Sequence, residues 1–192
     1  MRYLLILIFL STFFVSFNAG DNITLDKKEA EKAFELLNDI RVNPAKYYHQ
    51  FAFLKSIKIK TTKLRWNDTL ATVAETKAVD MADKNYFGHV DPHGYGINYW
   101  IAQSGYKLNP LWTKHKNANN FESLAAGMED GESTIATLLI DKGQPSLGHR
   151  KHLLGLEQWN ASLVDIGIGF VRRNVGGDFK TYVSIVIAKH DW

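Results

Sequence analysis

The sequence predicts an α+β domain in which helices pack against a small antiparallel sheet. Two observations lead to this prediction. Helical periodicity dominates the first half of the chain, and two segments with β patterning close the second half. Because strands do not alternate with helices, a parallel Rossmann-type sheet is disfavoured. The 192 residues are 45% hydrophobic and 12% aromatic, which is enough apolar material for one core.

The first 20 residues have the pattern of a secretory signal peptide. Arg2 is followed by an apolar run from Tyr3 to Phe17 without a charged residue, and small residues end the segment at Gly20. The run is shorter than the ~20 residues that span a bilayer. We therefore expect cleavage near Asp21, a single domain over 21–192, and an extracellular or periplasmic protein without stable membrane insertion.

Two helices are predicted near the start of this domain. Asp26 and Glu29 fit a capping box, and apolar residues then recur at helical spacing, so the first helix is expected from about Lys27 to Ile40. Asn43 and Pro44 provide an N-cap and a first-turn proline. They predict a second helix that carries Tyr47, Tyr48 and Phe51.

The strongest helical pattern begins after Asn67, which reads as its N-cap, and ends near Asn85. From Gly88 to Asn120 the periodicity fails, although aromatic residues are frequent there. Long irregular segments in compact domains are either disordered or functional, and the aromatic content favours order. We expect an ordered, functional loop region.

Helical spacing resumes from Ser133 to Ile140, and two β-patterned segments follow at Asp165–Val171 and Tyr182–Ile187. A glycine-rich turn separates the two segments, which predicts a hairpin. Gly167 and Gly169 lie inside the strand pattern and not at a strand-to-helix turn. They therefore do not form a phosphate-binding loop.

Composition excludes several function classes. The chain has no cysteine, so it has no disulfide, no thiolate metal site and no cysteine nucleophile. Its formal net charge is +3, and losing Arg2 with the leader would lower this to +2. Such a small excess does not predict nucleic-acid binding.

A first group of reactive side chains follows the strongest helix. His89, Asp91 and His93 lie within five residues. Two histidines four apart would face one metal ion on a helix, but Pro92 disfavours a helix here. The alternative is a turn in which Asp91 caps the local backbone and His93 is solvated. His89 is the better candidate for a site.

A second group lies at Gly148–His152. His149 and His152 are three residues apart and would share one face of a helix, whereas Arg150 and Lys151 are expected in solvent. His149 follows a glycine and is able to reach into a cleft as a ligand. The alternative is a short turn in which the histidine bonds to a buried carbonyl.

Between these groups, Glu122 enters an apolar run. A buried carboxylate needs a partner, and a histidine would make an acid–base or metal-binding pair. Ser123 allows a serine hydrolase with His89 or His149 as its base, although the chain has no Gly-x-Ser-x-Gly motif.

Four ordered blocks of sequence resemble the CAP superfamily, also called the SCP or sperm-coating-protein domain, in its bacterial secreted branch. The resemblance covers about residues 30–189 and continues through the two terminal strands. The blocks are Leu64–Leu70, Phe87–Pro92, Phe121–Ala125 and Gly148–Leu154.

The resemblance implies an α-β-α sandwich with a small central antiparallel sheet between helical layers, and a cleft lined by two histidines and two acids. His89 and His149 would be the histidines, able to bind a divalent cation such as zinc, and Glu122 the first acid. Asp141 or Glu132 would replace the second acid, because the family's usual glutamate is missing at the matching helix. Without disulfides, the layers must be held by packing alone.

Three functions are compatible with such a cleft. The favoured one is a secreted module that binds a small molecule, lipid, peptide or glycan, with or without a metal. The second is a hydrolase, either metal-assisted with Glu122 as base or serine-type, which makes Glu122, Ser123 and His149 the candidate catalytic residues. The third is a structural or adhesive role at the cell surface.

Overall fold

A computed structural model describes residues 22–60 and 62–190. The predicted leader and its cleavage site lie outside these residues. The elements, in chain order, are β1 (Ile23–Leu25), α1 (Lys27–Val42), β2 (Arg65–Trp66), α2 (Asp68–Asp83), α3 (Ile97–Gln103), β3 (Glu122–Ala126), α4 (Gly131–Ile140), α5 (Gly148–Leu154), α6 (Gln158–Ala161), β4 (Asp165–Arg173) and β5 (Thr181–Ala188).

The strands of the described chain form one sheet in the order β1-β4-β5-β3, with β2 beside the start of β4. β4 and β5 form the predicted hairpin, in which Ile168 lies opposite Ile185. β3 pairs antiparallel with β5, and Ser123 lies opposite Ile185. Only the two-residue β2 runs parallel to its neighbour. β3 is thus an edge strand of the sheet.

Helices cover both faces of the sheet, as the resemblance implies. α2 packs against β4 and β5 on one face, while α1 and α4 pack together on the other. The buried core includes Leu37 of α1, Leu139 of α4 and Ile168 of β4. This arrangement confirms the α-β-α sandwich within the α+β class.

Gly167 and Gly169 allow α2 to lie directly against β4. A Cβ atom at Gly167 would collide with the backbone of Leu70 and Ala71, and one at Gly169 with the backbone of Ala74. The two glycines are therefore packing residues, in agreement with the prediction that they do not form a phosphate loop.

The observed helix ends agree well with the predicted ones where a side-chain cap determines them. The Asp26 side chain accepts a hydrogen bond from the Glu29 backbone, and the Asn67 side chain accepts one from the Leu70 backbone. The predicted second helix is much shorter than expected. Residues Pro44–Tyr47 form only one turn of 3-10 helix, and the side chain of Asn43 does not cap it.

The prediction of an irregular region from Gly88 to Asn120 is wrong in part, because α3 lies within it. Seven residues are too few for a clear helical repeat, and α3 begins without a side-chain cap. β3 begins at Glu122, two residues after this region ends. The sequence showed this strand only as an apolar run around Glu122. Among the described helices, none combines the length and apolar character that crossing a bilayer requires.

Candidate functional site

Four of the predicted site residues meet in a cleft of about 460 Å³ at one end of the edge strand β3, namely His89, Glu122, Ser123 and His149. We call it the central cleft. Asp141, also expected to line it, does not. The loop after α2 contributes His89, β3 contributes Glu122 and Ser123, and α5 contributes His149 and His152. Its other lining residues are mostly polar and include Asn119, Asn120, Gln144, Ser146, Trp159 and Asn160.

Glu122 and Ser123 are neighbours in a strand, so their side chains leave opposite faces of the sheet. Leu124, on the same face as Glu122, packs against residues of α2. Ser123 instead meets His152 of α5. The end of β3 therefore brings groups from both helical layers to one cleft.

His89 is held by a buried carboxylate. Its Nδ1 lies 3.0 Å from Oε2 of Glu122, and the Glu122 side chain is fully buried while that of His89 is 41% exposed. Ser184 of β5 donates a hydrogen bond of 2.8 Å to the other carboxylate oxygen. Both oxygens of Glu122 thus have protein partners, and Nε2 of His89 is the ring nitrogen left for a ligand.

His149 repeats this arrangement with a different acid. Its Nδ1 lies 2.8 Å from Oδ1 of Asp141, and its backbone N–H donates to Oδ2 of the same carboxylate at 3.0 Å. The Asp141 side chain is 2% exposed and that of His149 is 26% exposed. Asp141 contacts the Nδ1 side of the His149 ring, so Nε2 of His149 is left for a ligand.

Of the two residues that the resemblance suggested as the second acid, Asp141 is the one that contacts a cleft histidine, His149. Asp141 ends α4 in the left-handed conformation, with φ of 52°. That bend turns its carboxylate towards the first backbone N–H groups of α5. Glu132 lies in the first turn of α4, at the opposite end of that helix.

Arg150 is not free in solvent, contrary to the prediction. Its guanidinium donates hydrogen bonds of 2.6 Å to the carbonyls of Leu139 and Ile140 at the end of α4. Asp141 binds the start of α5 while Arg150 binds the end of α4. The two residues together fix the position of α5, and therefore of His149.

The hydroxyl of Ser123 pairs with a histidine that sequence reasoning did not assign to it. Oγ of Ser123 lies 2.7 Å from Nδ1 of His152, whereas His89 and His149 are paired with carboxylates. Burial lowers the pKa of His152 to about 4, so its ring is neutral at pH 7. The spacing of His149 and His152 predicted their shared helix but not these separate partners.

A buried ammonium group, that of Lys77, lies close enough to Glu122 for their charges to interact. Lys77 of α2 is fully buried and donates a hydrogen bond of 2.9 Å to the hydroxyl of Tyr86, which in turn donates to Asp80. Burial lowers the pKa of Lys77, while the negative charges of Glu122 and Asp80 oppose that change. Buried carboxylates near the cleft thus have a buried cation close by.

The cluster around His93 forms the predicted turn. Oδ1 of Asp91 accepts hydrogen bonds from the backbone of His93 and Tyr95, and the His93 side chain is exposed. His93 is not among the residues that line the central cleft. Among the described residues, no three His, Asp or Glu side chains gather closely enough to share one metal ion.

Comparisons with known proteins identify the relatives of this chain. The family model described as CAP, cysteine-rich secretory protein family, matches residues 34–186. The protein YkwD of Bacillus subtilis (strain 168) is 32% identical over 108 residues, which are 56% of this chain and 35% of YkwD. The chain thus spans about a third of that relative.

Two solved structures share the fold. An extracellular protein containing an SCP domain from Bacillus anthracis str. Ames is 24% identical, with a TM-score of 0.53 over 85% of this chain and 41% of that chain. An outer surface protein of Borrelia burgdorferi is 16% identical, with a TM-score of 0.52 over 86% of this chain and 98% of that chain. Both of these neighbours are extracellular or outer-surface proteins.

Proposed function

Because this chain belongs to the CAP family, the cysteine-rich secretory protein family, we propose that it is a secreted module that binds a polar ligand in its central cleft. The extracellular and outer-surface neighbours support secretion. The signal-peptide pattern of residues 1–20 supports it independently. No cysteine is present in this member, so its stability outside the cytoplasm rests on its core.

One observation carries the binding proposal: both exposed histidines of the cleft are oriented by buried carboxylates. A carboxylate that accepts the Nδ1–H of a neutral histidine fixes the ring and leaves Nε2 as an acceptor. Nδ1 of His89 and Nδ1 of His149 each lie within hydrogen-bond distance of such a carboxylate, at 3.0 and 2.8 Å. Two fixed acceptors in one cleft suit a ligand that donates hydrogen bonds, or a cation.

The lining favours a peptide or glycan over a lipid. Amide side chains of Asn119, Asn120, Gln144 and Asn160 surround the histidines. Amides offer both donors and acceptors, whereas an acyl chain would leave these groups without hydrogen bonds at a cost of about 1–3 kcal/mol for each buried one.

We also propose a divalent cation as a ligand of the two histidines. Histidine ligands of zinc usually donate the other ring N–H to a carboxylate, as Glu122 and Asp141 would accept it here. A Zn²⁺ ion bound at Nε2 of His89 and His149 would act as a Lewis acid towards a bound ligand. Water or the ligand itself would complete the coordination.

Native mass spectrometry of the protein purified from its own source tests this proposal. We expect a peptide, a glycan or a divalent cation to copurify with the wild-type chain and to be lost from His89→Ala and His149→Ala. His49→Ala, at an exposed histidine, is the matched control. If the two cleft variants retain the same bound species as the wild-type protein, the cleft is not the site.

A serine hydrolase is the second candidate, favoured by the 2.7 Å contact between Ser123 and His152. In such a reaction His152 would accept the hydroxyl proton at Nδ1 while Oγ forms the acyl bond, and would then return the proton to the leaving group. Ser123 is only 1% exposed, so the substrate would have to enter the cleft deeply. Glu122 is a weaker candidate for a base because protein groups bind both of its oxygens.

A fluorophosphonate probe separates the two functions. A serine nucleophile should be labelled in the wild-type protein and not in Ser123→Ala, and labelling should fall in His152→Asn. A binding module should remain unlabelled in all three proteins, and ligand binding should survive Ser123→Ala.

A further inference from the structure

The outer edge of β3 has unpaired backbone groups. The Ile187 N–H donates to the carbonyl of Phe121, and the Gly127 N–H donates to the carbonyl of Thr181. In an antiparallel pair these bonds involve every second residue, so odd-numbered residues of β3 face β5 and even-numbered residues face outwards. The outward N–H and C=O groups of Leu124 and Ala126 meet no hydrogen-bonding partner among the described residues.

A groove of about 410 Å³ runs along this edge. We call it the edge groove. The backbone of β3 from Leu124 to Ala126 forms one side, and Thr137, Leu138 and Ile140 of α4 form the other. No residue of β5 lines it, which places the groove on the free side of the strand. The α4 wall is mostly apolar, and Ile140 is 48% exposed.

The edge groove continues into the central cleft, because Gln144 and His149 line both. These shared residues mark the end of the groove that is nearest to Glu122. Lys142 lines the groove and is exposed. Asp141, beside it in sequence, is already engaged by its bonds to His149 and to the start of α5. Lys142 therefore provides an exposed ammonium group at this end of the groove.

We propose that the edge groove binds an extended peptide of another protein, which adds a strand to β3 and directs a carboxylate towards Lys142. Strand addition to a sheet edge uses backbone hydrogen bonds for affinity and side-chain pockets for specificity. An antiparallel peptide would run from the Ala126 end of β3 towards Glu122, so its C-terminal carboxylate would reach Lys142. An aliphatic side chain of the peptide would contact Leu138 and Ile140.

A second copy of this chain fits the edge less well. β3 has five residues, or about 17 Å of strand, and such a contact buries far less than the roughly 1,200 Å² of a standard protein interface. The last turn of α4 also stands beside the strand as a wall. The groove therefore suits one extended segment better than a second sheet with its own helices.

This inference rests on the proposed function in one respect, namely that the peptide would be the ligand, or part of the ligand, that reaches the central cleft. The edge groove is tested without the cleft residues, so the two proposals can fail separately. Copurification that depends on His89 and His149 tests the cleft. Binding that depends on β3, Ile140 and Lys142 tests the groove.

Fluorescence polarisation with a labelled hexapeptide of alternating valine and threonine, with a free C-terminal carboxylate, measures the affinity. We expect saturable binding by the wild-type chain. The dissociation constant should be at least tenfold larger for Ile140→Asp and for Lys142→Gln. Leu111→Asp and Lys107→Gln change an exposed leucine and an exposed lysine outside the groove and should bind like the wild-type chain. The same peptide with alternate amides N-methylated keeps its side chains and should lose binding.

Amide hydrogen exchange gives a readout at the strand itself. In the free protein, the outward N–H groups of Leu124 and Ala126 should exchange faster than those of Ser123 and Ala125, which bond to β5. The peptide should protect the outward pair by at least tenfold and leave the inward pair unchanged. The proposal is overturned if the N-methylated peptide binds equally well, if saturable binding is absent, or if sedimentation shows that β3 mediates a dimer.

Discussion

At the residue scale, the central cleft is organised by pairs rather than by single side chains. Glu122 fixes His89 and Asp141 fixes His149, each through Nδ1. Both carboxylates are buried, whereas both histidines reach solvent. The acids therefore position the rings, and in the proposed function the histidines are the groups that would meet a ligand.

Asp141→Asn tests one of these pairs through stability. The carboxylate accepts hydrogen bonds from His149 at two atoms and from the Arg150 backbone, and the amide replaces one acceptor with a donor. We expect the free energy of unfolding to fall by about 1–3 kcal/mol, measured by urea denaturation.

The control for this substitution is Asp178→Asn, at an exposed position, which should unfold at the same urea concentration as the wild-type protein. If Asp141→Asn also unfolds at the same urea concentration as the wild-type protein, the carboxylate does not fix the start of α5.

His152 makes stability depend on pH. Its pKa of about 4 in the folded chain is below the ordinary value of ~6.5, because burial disfavours the charged ring. As the pH falls from 6.5 to 4, the unfolded chain binds a proton that the folded chain does not. Stability should therefore fall in this window, by on the order of 3 kcal/mol.

Denaturation of His152→Asn between pH 7 and pH 4 checks this effect. The variant should lose much of the pH dependence, whereas His93→Asn, at an exposed histidine, should retain all of it. Equal pH profiles for wild type and His152→Asn would exclude a buried neutral ring.

At the scale of elements, β3 and α5 meet because α2 and α4 are each held close to the sheet. The glycines of β4 bring α2 against the strand backbone, and Asp141 and Arg150 join α4 to α5. Strand β3 and helices α5 and α6 line the cleft together with the loop that carries His89 and the loop residues around Asn120 and Gln144.

Gly169→Ala tests the contact between α2 and β4. The new methyl group would collide with the backbone of Ala74, so α2 has to move away from the sheet. We expect a loss of about 1–3 kcal/mol or more in the free energy of unfolding. Gly88→Ala, where the nearest atom to the new methyl group is 3.9 Å away, should cost much less.

Predictability from sequence differed between elements for physical reasons. α1, α2 and the β4–β5 hairpin had caps, a repeated apolar pattern or a glycine-rich turn, and the structure places them within a few residues of their predicted ends. α3 is one short helix without a cap, and β3 is a strand buried on both faces, so neither shows a period.

The residues of the candidate site likewise divide into those that the sequence predicted and those that it did not. His89, Glu122 and His149 were predicted as cleft residues because the sequence blocks that contain them resemble the CAP superfamily. The partnership of Ser123 with His152 depends on how β3 meets α5, which a single sequence does not encode locally. Arg150 was misassigned because a charged residue beside a histidine gives no sign that helix carbonyls lie within its reach.

At the scale of the whole molecule, a cysteine-free chain builds this fold by packing helices on both faces of one sheet. The hydrophobic core joins α1, α4 and the sheet, and the fully buried Arg41 bonds to the carbonyls of Thr62 and Leu153. The polar cleft opens at the sheet edge, where β3 lacks an outer neighbour among the described strands. The cleft thus lies at the edge of the sheet, with Trp159 joining its lining to the core.

The central claim is that His89 and His149 present fixed Nε2 acceptors to a ligand. Long-range proton–nitrogen NMR spectra of the imidazoles during a Zn²⁺ titration test it most directly. We predict that both rings start as Nδ1–H tautomers and that their Nε2 signals shift together at the lowest zinc concentrations, before those of the exposed His49 and His93. Rings that carry the proton on Nε2, or that respond no earlier than His49 and His93, would contradict the account.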